Sequence, residues 1–84
     1  MSMEGLTEGR IVHFVLAEGE HRPAIVVKRW SENCANLQVF VDGTNDARFD
    51  VPLEALKTGV MWATSVVHDP EGKQVRSMHF PERA

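Results

Sequence analysis

Strict alternation over Asn36-Leu37-Gln38-Val39-Phe40-Val41, running directly into Asp42-Gly43-Thr44-Asn45-Asp46, limits what this chain folds into more than any other feature. Successive side chains of a strand point to opposite faces, so Leu37, Val39 and Val41 share one side while Asn36, Gln38 and Phe40 share the other. The first side is apolar and the second polar with one aromatic ring, which describes a half-buried strand of a sheet. The polar corner behind it admits two readings. Asp42, Asn45 and Asp46 gather oxygen ligands around Gly43, but the segment lacks the alternating ligand positions and distal Glu of a calcium loop. Asp and Asn side chains bond nearby backbone, and Asp-Gly favours hairpins, so turn chemistry accounts for it.

The rest of the chain repeats the theme. After Gly9, Arg10 to Ala17 is apolar on both faces and reads as a central strand. Glu18-Gly19-Glu20-His21-Arg22-Pro23 reads as a hairpin loop, because Gly and Pro punctuate chains. Ala24 to Trp30 contains the β-branched run Ile25-Val26-Val27 and reads as a second strand, joined by Ser31-Glu32-Asn33 to the third. Arg48-Phe49-Asp50-Val51 reads as a short strand, and Pro52 to Lys57 as one helical turn or an extended edge, with proline suited to the first helical position. Val60 to Val67 forms a further strand, Asp69-Pro70-Glu71-Gly72-Lys73 a turn, and Val75 to Phe80 a last short strand. Short strands with tight turns predict an all-β chain: a small SH3-like barrel or rolled antiparallel sheet of about five strands, with at most one short helical turn, since closure hides sheet edges. The expected organisation is a single domain over residues 1–84 with short flexible ends, about 1–8 and 81–84.

Composition bounds the function. A chain of 84 residues buries a modest core, and 43% hydrophobic with 25% charged residues is ordinary for a folded domain. A formal charge of -3 argues against sequence-independent binding to duplex DNA, which needs rows of Lys and Arg. No apolar run approaches the roughly 20 residues that span a bilayer, so no membrane role is expected. The single Cys34 and a start without basic and apolar signal-peptide regions point to a reducing, cytoplasmic setting.

Several segments together resemble a known group of proteins: Gly9-Arg10-Ile11-Val12-His13, His21-Arg22-Pro23-Ala24-Ile25-Val26-Val27, Trp30, Asn36-Leu37-Gln38-Val39-Phe40, Asp42-Gly43-Thr44-Asn45-Asp46, Trp62-Ala63-Thr64-Ser65 and His79-Phe80-Pro81-Glu82. In this order they are similar to a family of small, uncharacterised bacteriophage and prophage proteins. The resemblance implies a viral origin and action in the host cytoplasm, and it brings no chemistry. The chain departs from the family pattern at its end, where Trp-His-Trp-Pro-Glu is usual and Met78-His79-Phe80-Pro81-Glu82 stands here, and in the segment Ala47 to Thr58.

No catalytic set converges. Cys34 has no identifiable oxyanion donors or orienting group, and the neighbours Ser65, His68 and Asp69 do not make a triad by adjacency. The chain therefore reads as a non-enzyme without a cofactor. The four histidines, at 13, 21, 68 and 79, lack the short separations that preset two ligands, so no metal site is expected and His13 reads as a core or rim residue. The better candidates are aromatic and polar. Trp30, Phe40, Trp62 and Phe80 accompany Lys28, Arg22, Arg29, Asn36 and Gln38, and tryptophan and arginine are enriched in binding hot spots. Trp62, amid Val60 and Val66, is expected in the core, whereas Trp30 ends a strand beside charges. The binding surface is accordingly assigned to Trp30, Arg22, Arg29, Asn36, Gln38, Phe40, Asp46 and His79. Its expected partner is a host or phage protein, or further copies of the chain as a homo-oligomer. Two other readings are an anti-defence protein sequestering a nucleotide, with bases on aromatic faces and phosphates on arginine, and a minor virion component.

Overall fold

In a computed structural model, residues 5–81 are described; of the flexible ends expected at about 1–8 and 81–84, residues 1–4 and 82–84, with Glu82 of the closing motif, lie outside them. The chain is a closed barrel of five strands in the order β1-β2-β3-β4-β5. These are β1 (Ile11–Ala17), β2 (Glu20–Ser31), β3 (Cys34–Phe40), β4 (Val60–His68) and β5 (Ser77–His79), with a 3-10 turn (Asp46–Phe49) and a helix α1 (Leu53–Thr58) between β3 and β4. The expected small all-β barrel is what forms. Among the described residues no helix is long and apolar enough to cross a membrane.

The core is the sum of the inward faces. Val12, Phe14 and Leu16 of β1, Ala24 and Val26 of β2, Ala35, Leu37 and Val39 of β3, Met61 and Val66 of β4 and Met78 of β5 are all buried together. Leu6, inside a stretch expected to be a loose end, is buried with them. Val51 and Ala55, from the segment between β3 and β4, join the same core.

Several local expectations are corrected. Glu20 to Pro23 belongs to β2 and not to a loop, leaving only Glu18-Gly19 to turn. Proline is tolerated there because β2 meets β3 only from Ala24 onward, so no ladder donor is required at Pro23 on that side. Asp42-Gly43 does not make a hairpin. The Asp42 carboxylate accepts the Thr44 N–H at 2.8 Å and the Asn45 N–H at 3.2 Å, an Asx-type turn that leads into the 3-10 turn at Asp46–Phe49, where a strand was expected over Arg48 to Val51. Pro52 stands at the N-cap of α1, one position before the first helical residue. Gly43 serves close approach: a Cβ there would collide with the carbonyl oxygen of Leu56. The last strand is shorter than expected and pairs parallel to β4, with Val67 beside Ser77 and His68 beside Met78, while it is antiparallel to β1. The connection between β4 and β5 is organised by Asp69, whose carboxylate accepts backbone N–H groups from Glu71, Lys73 and Gln74. Met78, at the point of departure from the phage pattern, is fully buried opposite Phe14 and offers nothing to a ligand.

Candidate docking face and histidine cluster

Strand register builds a mainly apolar row, with Gln38 inside it, on the outside of the barrel. Ile11 pairs with Ile25, Ile25 with Gln38 and Gln38 with Trp62, so four neighbouring strands contribute one outward residue each. Phe40 opposite Val60 forms the start of the next row. Ile11, Trp62 and Phe40 are 54%, 51% and 42% exposed. Soluble proteins rarely leave such residues contiguous unless something covers them.

Three bulges decide which side chains join this face, the first at Val27 of β2, between Val26↔Leu37 and Lys28↔Asn36. Between Ala35↔Val66 and Leu37↔Ala63 the pairing shifts by one, so Asn36 opposes both Thr64 and Ser65. The extra residue reverses the phase of β4: Trp62 points out while Val66, four residues on, points in. This corrects the expectation that Trp62 is core, since alternation without the bulge places Val60, Trp62, Thr64 and Val66 on one side. Ser65 takes a left-handed φ of 51° at the bulge, and its N–H donates to Asn36 Oδ1 at 2.8 Å. The same oxygen accepts the indole N–H of Trp30 at 2.8 Å. Trp30 is itself the extra residue of a bulge in β2, between Arg29↔Ala35 and Ser31↔Cys34, and is 58% exposed with Lys28 Nζ 5.2 Å from its ring centre. Asn36 thus ties β2 to β4 across β3 and holds the indole in place.

The candidate binding residues therefore separate into three places. Trp30, Asn36, Gln38 and Phe40 lie on the outer face with Trp62. Arg29 is exposed next to Trp30 on β2, its backbone N–H donating to Glu8 Oε2 at 2.9 Å. Arg22 and Asp46 do not belong to that face. Two residues before Ala24, Arg22 falls on the inner side of β2 and reaches into the end of the barrel, where its Nε and Nη2 donate to Asp46 Oδ2 and Oδ1 at 2.9 and 2.6 Å. Nη2 also reaches Glu20 at 3.0 Å, and Nη1 donates to the His21 carbonyl at 2.9 Å. Asp46 is fully buried and accepts the Asp42 N–H at 2.7 Å. The Arg22 guanidinium first, then that backbone donor, hold the Asp46 carboxyl below its usual range against the opposing effect of burial. The pair is a structural pin.

His79 lies in a third place. His13 and His79 are direct cross-strand partners, and His21 opposes Val15, two residues along from His13 on the same face. The ring centres of His13, His21 and His79 are 4.8 to 6.1 Å apart, and one ligating atom from each lies within 4.8 Å of the others. Sequence separation argues against such a group; pairing of β1 with both β2 and β5 overrides it. Gly72 covers His79, for a Cβ at that position would stand 2.9 Å from His79 Cε1. Beside the cluster, His21 and Gly72 line a cleft of about 470 Å³ with Glu18, Gly19, Lys73 and Val75. Asp69, a candidate triad member by adjacency, directs its carboxylate to loop N–H groups. Comparison with known proteins finds no matching family model, no matching curated protein and no matching solved structure.

Proposed function

We propose that the chain is a non-enzymatic interaction module that binds a protein through the outer face of β2, β3 and β4. The observation that carries the reading is the contiguous row Ile11, Ile25, Gln38 and Trp62, flanked by Phe40 and by the Asn36-held Trp30. Two rigid indoles with a central amide are what a protein hot spot uses: large apolar area at small entropy cost, and a polar group to fix register. The resemblance to phage proteins supports a host or phage protein in the host cytoplasm as the partner. For a nucleotide, Arg22 is committed to Asp46 and Glu20, which leaves exposed Arg29 and Lys28 beside Trp30 for phosphate; the exposed apolar residues Ile11, Trp62 and Phe40 on the same wall favour the protein reading.

The test is capture from host lysate, with light scattering of the purified chain. A single captured species, identified by mass spectrometry and lost with Trp62→Ala and Trp30→Ala, is the expected result. Self-association lost with the same substitutions identifies the partner as a second copy. A strict monomer that captures nothing, or captures equally with both tryptophans removed, sinks the reading.

A further inference from the structure

We propose that His13, His21 and His79 form a binding site for a divalent transition metal of the zinc class. It is separate from the aromatic face and stands whether or not that face docks a protein.

Three imidazoles converge on the outer wall of the barrel where β1 lies between β2 and β5. Their planes are inclined to one another by 71° to 80°. No two of the rings are stacked face to face, and one ligating nitrogen from each can be chosen so that all three lie within 4.8 Å of one another. With zinc–nitrogen distances of about 2.0–2.1 Å, nitrogens of a tetrahedral site stand roughly 3.3–3.4 Å apart. The three ligating atoms, all within 4.8 Å of one another, need close by at most about 1.5 Å, and half-buried His13 and His21 have more room to move than buried His79.

The supporting structure holds each ligand in its place. His79 is buried in β5, between β1 and β4, under Gly72. His13 sits mid-strand with Pro23 on one side and His79 on the other. The carbonyl of His21 is fixed by Arg22, itself pinned to Asp46. Ligands held on strands by such contacts lose little freedom on binding. The donor set also fixes the class of ion: imidazole nitrogen suits zinc, copper and nickel, and the absence of a carboxylate from the trio disfavours magnesium and calcium. The three histidines leave the fourth tetrahedral position to water or another donor.

The test uses tag-free protein stripped with a chelator, titrated calorimetrically with Zn²⁺ alone and followed by Co²⁺ absorption as a report of coordination geometry. One equivalent of Zn²⁺ is expected to bind at micromolar concentration and raise Tm, with Mg²⁺ and Ca²⁺ inert. Half-buried His21 is the first residue to change. His21→Ala should keep the fold, shown by an unchanged Tm without metal, and weaken Zn²⁺ affinity by at least about tenfold; His13→Gln should do the same. His68→Ala and Cys34→Ser should bind as the parent does. Absence of one-to-one binding, binding indifferent to His21→Ala and His13→Gln, or binding lost with Cys34→Ser overturns the proposal.

Discussion

Arg22 grips Asp46 through two guanidinium nitrogens at 2.9 and 2.6 Å, joining β2 to the 3-10 turn at the end of the barrel. Asp46 is fully buried, so removing Arg22 strands a carboxylate without its ion-pair partner, leaving the weaker influence of Arg48. Arg22→Ala is expected to destabilise the protein by about 3 kcal/mol, and Arg22→Lys to recover only part of that, since an ammonium cannot make the paired contact. Urea denaturation of the two variants measures the difference. Equal stability of parent and Arg22→Ala would show the pair to be incidental.

Acid should unfold the protein in a predictable direction. Asp46 is held below the ordinary range first by Arg22, Asp42 by the side-chain amide of Asn45 and then by backbone N–H groups, Asp69 by the Gln74 N–H and then Glu71, and Glu8 by the Arg29 N–H. In each case the folded value lies below the unfolded one, so the unfolded chain binds more protons in that window. Their contribution is complete above the unfolded carboxylate range and lost as pH falls through the folded values. Tm from these groups should be level above about pH 5 and fall below about pH 4. Arg22→Ala should show a shallower acid limb, because the lowering at Asp46 goes with the guanidinium.

Gly43→Ala is expected to destabilise by about 2 kcal/mol, because its Cβ meets the Leu56 carbonyl oxygen and not a flexible side-chain end. Asp42→Ala, which removes the acceptor for the Thr44 and Asn45 N–H groups, perturbs the same turn from the polar side. Thermal melts of the two check whether the corner Asp42 to Asp46 acts as a packed unit; a silent Gly43→Ala would show that α1 yields freely.

Asn36 and the tryptophans should separate stability from binding. Asn36→Ala leaves the Ser65 amide and the Trp30 indole without their shared acceptor and should cost about 1–2 kcal/mol, while Asn36→Asp keeps an acceptor oxygen and much of the stability. Trp62→Ala, at a half-exposed position, should change stability by no more than about 1 kcal/mol yet abolish partner capture. A Trp62→Ala variant that unfolds would mean that the ring holds the barrel together instead of presenting a surface.

How much of this was legible follows from the range of each signal. The alternation of Leu37 and Val39 against Asn36, Gln38 and Phe40 places all five residues on their correct faces, because period two within one strand is a local property. The same rule applied to β4 misplaces Trp62, since a single bulged residue at the Thr64-Ser65 step inverts the phase and leaves no mark in composition. Arg22 and Asp46 read separately as surface candidates, and neither residue type announces that 24 positions of chain fold back to pair them.

By itself the sequence determined the class of the molecule: β-branched and alternating segments cut by Gly, Pro and Asp turns bury one face each, and a chain this small closes them into a barrel. Only the tertiary structure decided what the outside of that barrel presents. Bulges chose Trp30 and Trp62 for the open face, and antiparallel register across β5, β1 and β2 drew His79, His13 and His21 together. The physical reason is that facing depends on local period, while neighbourhood between strands depends on register, and one inserted residue resets register without altering the pattern that predicts the strand.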